Sequence, residues 1–184
     1  HTQYALHGTM FPPGRPCRGD CGGCDDVSVF WLRIIEKNKE KNNNMAIAFY
    51  AEDTKLPAIK KRTVSNWIKA VAATYGKKTG DISYIFCSDE KILEVNRQYL
   101  QHDYYTDIIT FDYTSGDKIS GDLFISLDTV RTNSETFHTD YNEELHRTII
   151  HGILHLCGIN DKGPGEREIM EANEDKALAM LPEE

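Results

Sequence analysis

The chain has 184 residues, of which 40% are hydrophobic, and this length suits one domain with a sizeable core. A net charge of −8 excludes a uniformly basic nucleic-acid-binding protein, since phosphate binding usually depends on clustered lysine and arginine. The five cysteines are an odd number, which excludes a complete disulfide framework, and the apolar runs are too short for a membrane-spanning helix. Cys87 and Cys157 lie in apolar runs and are expected to be buried thiols in a reducing cytoplasm.

Charge is unevenly distributed along the chain. Between residues 55 and 78 there are seven basic and no acidic side chains, whereas 161–184 contains eight acidic and three basic ones. A protein with two oppositely charged regions can bind RNA with one and remain acidic overall. An ordinary solvated helix face explains the basic stretch equally well. The candidate RNA-binding residues in it are Lys60, Lys61, Arg62 and Lys69.

The first 44 residues differ in composition from the rest. They are rich in proline and glycine and end in a polar run at 36–44, a composition typical of a flexible tail or linker. We interpret 1–44 as a disordered or non-native N-terminal extension and 45–184 as a single domain.

Three cysteines in that extension have a suggestive spacing. Cys17, Cys21 and Cys24 are spaced like the ligands of an iron–sulfur cluster in radical-SAM enzymes. The sequence predicts no large α/β barrel of the kind that surrounds such a cluster. Zinc binding by the three thiolates is conceivable, and chance spacing in an unstructured segment is the simpler reading.

From residue 45 onward the apolar pattern predicts strands and helices in mixed order. β-rich runs bounded by turn signals predict strands at 45–51, 81–87, 106–113 and 121–126. Apolar residues at helical spacing predict helices at 64–75, 88–100, 127–137 and 142–157, and from after Pro164 to Met180. Because strands and helices do not strictly alternate, the predicted fold is α+β, a mixed sheet of about four strands packed with about five helices.

The helix at 142–157 is predicted to be the central, buried one. Leu145, Ile149 and Ile153 lie on one of its faces, and Asn142 is the expected N-cap. The residues at the C-terminal end of this helix predict a metal site.

That end has the sequence HGILHLCG at 151–158 and is followed by Asp161. Residues four apart on a helix differ by about 40° around the axis, so His151 and His155 point the same way. Gly158 suits the left-handed conformation that ends a helix, and the chain can then return Asp161 to the same point. Two neutral nitrogens, one carboxylate and an open fourth position are typical of catalytic zinc. Two histidines at this spacing also occur by chance.

A zinc peptidase is not indicated. Its motif needs a glutamate directly after the first histidine to act as general base, and this chain has Gly152 there.

The segment at 151–158 resembles the signature of the YbeY family, bacterial metal-dependent endoribonucleases that act in ribosomal RNA maturation. Three other blocks match that family in order and at plausible spacing: NRQY at 96–99, TDIITF at 106–111 and GDLFIS at 121–126. The matches extend over roughly 45–181, and together they are far more specific than any one alone. The chain is identified as a member of this family.

Two positions depart from the family pattern. The family usually has a third histidine where this chain has Asp161, a mild change because a carboxylate oxygen binds zinc at about the same distance as an imidazole nitrogen. The family also usually has an arginine where this chain has Leu100, which cannot bind phosphate. The resemblance suggests Arg97, Lys61 or Arg62 as substitutes for that arginine, and no general base is evident.

The resemblance implies one Zn²⁺ per chain, held by His151, His155 and Asp161. It implies hydrolysis of single-stranded or precursor rRNA, in maturation of the 16S rRNA 3′ end and in ribosome quality control. Small-subunit ribosomal proteins and an assembly GTPase are the implied partners, with no membrane and a cytoplasmic location. Asp107 and Asp122 match family blocks and are candidates for orienting a ligand imidazole. Strand-end caps or turn hydrogen bonds explain these two aspartates equally well.

A second function stays open beside the endoribonuclease. Leu100 is compatible with a non-catalytic assembly factor that keeps the metal for stability and binds rRNA or ribosomal proteins.

Overall fold

The structure is a computed structural model that describes residues 4–6, 47–97, 107–161 and 163–182. All of these belong to one unit of the chain. The cysteine triplet, Leu100 and most of the predicted extension lie outside the described residues, so the boundary at residue 45 stays a prediction.

The described strands form one mixed sheet in the order β1-β4-β5-β3-β2. The strands are β1 Tyr4–Leu6, β2 Ile47–Ala51, β3 Lys78–Cys87, β4 Ile108–Asp112 and β5 Lys118–Ser126. Only β4 and β5 are antiparallel, and they are joined by the turn that the sequence predicts after residue 113. The four predicted strands are confirmed. The short β1, which pairs with β4, comes from within the predicted extension.

Five helices occur in the described part of the chain. They are α1 Lys61–Thr74, α2 Asp89–Val95, α3 Leu127–Thr136, α4 Tyr141–Leu156 and α5 Glu166–Ala179. The predicted α+β class is therefore confirmed. No helix among the described residues is both long and apolar enough to cross a membrane.

The start of α4 differs from the prediction. Asp140, and not Asn142, is the N-cap, and its Oδ2 accepts hydrogen bonds from the backbone N–H groups of Asn142 (3.0 Å) and Glu143 (3.4 Å). Aspartate and asparagine are comparable N-caps. Asp140 directly precedes Tyr141 and Asn142 directly follows it, so residue preference alone could not decide between them.

Helix α4 packs against the sheet at Gly152, which has no side chain. A Cβ on Gly152 would overlap the Leu123 side chain of β5 and would lie 3.0 Å from Ile108 Cδ1 of β4. The hydroxyl of Tyr84 on β3 also donates a 3.0 Å hydrogen bond to the backbone carbonyl of Ile149 in α4. Close approach here buries Leu145, Ile149 and Ile153 as predicted. It also explains why this position could not hold a peptidase glutamate without moving the helix away.

Candidate metal centre

The two histidines of α4 converge at the helix's C-terminal end. His151 and His155 are only 1% and 3% exposed, and their Nε2 atoms lie 2.8 Å apart. The ring planes are inclined by 76°, so the two imidazole rings meet edge to face and are not stacked. The spacing of four residues thus produces the predicted common direction.

Asp161 reaches the same point because α4 ends sharply. Gly158 has φ +96°, and the N–H of Ile159 donates to the carbonyl of Leu154 at 3.0 Å, which turns the chain back along the helix. Asp161 Oδ2 then lies 3.5 Å from the Nε2 atoms of both His151 and His155.

These three donors suit a divalent cation. One ligand atom from each side chain lies within 4.8 Å of the others. Two imidazole nitrogens that face each other at hydrogen-bonding distance cannot both present lone pairs unless a proton or a metal ion lies between them. Two nitrogens and a carboxylate oxygen fit zinc, and the oxygen also admits harder ions.

A residue that the sequence reading did not select completes the centre. Glu174 of α5 is 5% exposed, and its Oε1 accepts a 3.0 Å hydrogen bond from Nδ1–H of His151. Burial by itself would lower the pKa of His151, but the hydrogen bonds to Asp161 and Glu174 outweigh it and raise the pKa to about 9. Burial opposes ionisation of Asp161, yet its bonds to the two histidines hold its pKa well below the ordinary value.

The two aspartates proposed to orient a ligand are placed differently. Asp107 is buried just before β4, and its charge contributes to the raised pKa of His151. Asp122 lies on β5 between Gly121 and Leu123, both of which face α4. Because side chains alternate along a strand, Asp122 points to the other face of the sheet and is not brought to the histidines.

The basic candidates lie on the surface. Lys60, Lys61, Arg62 and Lys69 are all exposed. Helix α1 contacts α4 through Trp67 and His146, whose ring centroids are 5.9 Å apart, and His146 is about 140° around α4 from His151. Lys60 shares a cavity with Asn142 and His146 near the start of α4, one helix length from His155. Arg97 is exposed in a π-helical turn after α2.

Two other arginines line the same cavity as Asp161. This cavity of about 310 Å³ is lined by Arg147, Arg167 and Phe137, and by four further acidic side chains, Glu144, Glu171, Glu174 and Asp175. Arg147 is paired with Glu174 and Asp175, and Arg167 donates to Glu171 at 3.3 Å. Arg167 lies on the last helix and Arg147 on α4. In the sequence both are ordinary charged positions on a predicted helix, and such charges do not distinguish a cavity wall from an ordinary surface.

Comparison with known proteins identifies the family. The family model described as Endoribonuclease YbeY matches residues 46–182. The chain belongs to the YbeY endoribonuclease family. The family resemblance seen in the sequence is thereby confirmed, and the matched region begins one residue after the predicted domain start.

Relatives support the same assignment over the same region. Endoribonuclease YbeY of Parabacteroides distasonis is 90% identical over 140 residues, which is 76% of this chain and 99% of that relative. The Bacteroides fragilis YbeY is 78% identical over 136 residues, covering 74% of this chain and 98% of that one. A solved solution structure from Thermotoga maritima, 24% identical, has the same fold with a TM-score of 0.53, covering 73% of this chain and 88% of that one.

Proposed function

We propose that this YbeY-family chain is a zinc-dependent endoribonuclease that hydrolyses single-stranded regions of precursor rRNA. Its place would be in maturation of the 16S rRNA 3′ end and in ribosome quality control, in the cytoplasm where those precursors occur. Small-subunit ribosomal proteins and an assembly GTPase are the protein partners of this proposal. The observation that carries it is the convergence of His151, His155 and Asp161, and the relatives are named as endoribonucleases.

The three side chains would hold the ion, and each contributes a distinct property. His151 and His155 are neutral donors when they bind metal, so the site keeps most of the ion's positive charge to attract a phosphodiester. Asp161 offsets one unit of that charge and is the least buried of the three. A zinc ion bound there would lower the pKa of a water molecule toward neutral pH and would polarise a phosphoryl oxygen.

The surroundings would exclude bulk water from one side of the reaction. Both imidazoles are buried against α5 and the sheet, whereas Asp161 lines the cavity beside Arg147 and Arg167. RNA would therefore approach from the Asp161 side. Lys60, Lys61, Arg62 and Lys69 are exposed at the start of α1 and along it, and they would contact another part of the same RNA.

A second candidate is a non-catalytic assembly factor that uses the metal for stability. It is favoured by Leu100 in place of the family arginine, and Lys61 and Arg62 lie at the start of a helix that contacts α4 at His146. The two functions make different predictions for RNA cleavage by the zinc-bound wild-type protein.

The experiment compares the wild-type chain with His155→Ala and with His146→Ala as a matched control on the same helix. Zinc content is measured by elemental analysis, and cleavage is followed on a fluorescent single-stranded RNA and on the same sequence as a duplex. We expect about one zinc per wild-type chain and cleavage of the single strand. His155→Ala should lose both properties and His146→Ala should keep both, with unchanged circular dichroism.

Two results would contradict the endoribonuclease. Zinc binding without cleavage by the wild-type protein would favour the assembly factor. Cleavage that is unchanged in His155→Ala would mean that the activity does not depend on this centre.

A further inference from the structure

We infer that Glu174 is a positioning residue of the metal centre: it holds His151 in the one tautomer that presents Nε2 to the metal, and Arg147 holds Glu174. This inference rests on the proposed metal site. It assigns to α5, which provides none of the three ligands, control over metal affinity.

The tautomer follows from the chemistry of the contact. A neutral imidazole has one N–H and one lone pair, and a carboxylate can only accept hydrogen bonds. Glu174 Oε1 lies 3.0 Å from Nδ1 of His151, so the proton belongs on Nδ1. The lone pair is then on Nε2, the atom that faces His155 and Asp161. Without Glu174 either nitrogen could hold the proton, and only one of the two forms binds metal from this side.

Arg147 occupies the other oxygen of the same carboxylate. Its Nη1 donates to Glu174 Oε2 at 3.2 Å, while its Nη2 donates to Asp175 Oδ1 at 2.7 Å. Arg147 precedes His151 by one turn of α4, so both partners of Glu174 come from the same side of one helix. A buried carboxylate needs such compensation, because a charge removed from water without a partner is strongly destabilising. The two oxygens of Glu174 therefore have separate tasks.

The position of Glu174 depends on how α5 packs. Trp67 Nε1 of α1 donates a 2.7 Å buried hydrogen bond to the carbonyl of Ala177, and Tyr75 bonds Asn173 on the same helix. Both contacts lie within a turn of Glu174. Anchoring α5 in this way sets the distance between the carboxylate and His151.

The test measures zinc affinity, by competition with a chromophoric chelator, for wild type, Glu174→Ala, Glu174→Gln and Glu171→Gln. Glu171 lies one turn earlier on α5, is exposed and lines the same cavity, so its variant makes the same charge change without touching His151. We expect Glu174→Ala to weaken zinc binding roughly 10- to 100-fold, the usual effect of removing a residue that orients a ligand. The glutamine carbonyl can still accept from Nδ1–H, so Glu174→Gln should lie between alanine and wild type. Glu171→Gln should match wild type.

A second readout reports the tautomer directly and does not depend on activity. In long-range ¹H–¹⁵N spectra of the zinc-loaded wild-type protein, the His151 proton should be on Nδ1 and protected from solvent. In the glutamine variant, which conserves shape, this proton should exchange faster. If Glu174→Ala is too unstable to purify, this comparison decides the question.

The outcomes separate this inference from the proposed function. If wild type binds no zinc, the metal site itself is refuted. If wild type binds zinc and cleaves RNA but all Glu174 variants bind within about twofold of it, only the positioning role is refuted. In the zinc-loaded protein, a proton found on Nε2 of His151 would overturn it as well.

Discussion

His155 Nε2 and Asp161 Oδ2 lie 3.5 Å apart although the helix that carries His155 ends between them. Gly158, in the left-handed conformation, reverses the chain after the helix ends. The Asp161 carboxylate is therefore brought back to the C-terminal end of the helix. The third donor is thus provided by the turn that ends the helix.

Asp161→Ala should lose bound zinc, with a larger decrease in affinity than the roughly 10- to 100-fold typical of a residue that only orients a ligand. Asp161→His, which introduces the residue usual in the family, should retain the metal because imidazole is an equivalent donor. Elemental analysis and chelator competition on both variants check this. Unchanged zinc content in the alanine variant would exclude Asp161 as a ligand.

Gly152→Ala should destabilise the protein by about 1–3 kcal/mol, because the new methyl group overlaps Leu123 where α4 meets the sheet. Combining it with Leu123→Ala makes room for that methyl group. The double variant should therefore lose less stability than the sum of the single variants, with a coupling of roughly 0.5–3 kcal/mol. Urea unfolding of the four proteins measures this, and strict additivity would contradict the proposed close contact.

The reactivity of Cys157 should depend steeply on pH. Burial raises the pKa of this thiol to about 11, although nearby Lys77 opposes the shift. Because the thiolate is the reactive form, alkylation should be slow at pH 7 and should rise about tenfold per pH unit up to that value. Peptide-resolved mass spectrometry after iodoacetamide treatment follows the site. Cys87, whose pKa is raised further by complete burial, serves as the unreactive control.

Replacing Lys60, Lys61 and Arg62 by alanine together should weaken RNA binding and leave zinc affinity unchanged, since these exposed side chains lie at the start of α1, which contacts α4 at His146, about 140° around that helix from His151. If all three contact phosphate, the slope of log K against log salt should decrease by about 2 for a single strand. Lys176→Ala, an exposed lysine on α5, is the control. An unaltered slope would indicate the alternative, an ordinary solvated helix face.

Much of the centre could be predicted from local sequence. The spacing of His151 and His155, the helix-ending Gly158 and the apolar stripe of α4 act within a few residues of one another. Helical periodicity alone determines which side chains share a direction, so these predictions needed no knowledge of the neighbouring elements. The hairpin of β4 and β5 belongs to the same group, because turn residues and β-rich runs specify it locally.

Only the tertiary structure decided which groups surround that pair of histidines. Glu174 reaches His151 from another helix, Asp122 is turned to the far face of the sheet, and α1 contacts α4 at His146 and not at the two ligand histidines. Each outcome depends on which face of one element packs on another. That choice is made by burial and side-chain volume between residues distant in sequence, as at Gly152 and Leu123. The sequence by itself therefore determined the ligands' common direction, and packing determined what orients them and from which side RNA could reach them.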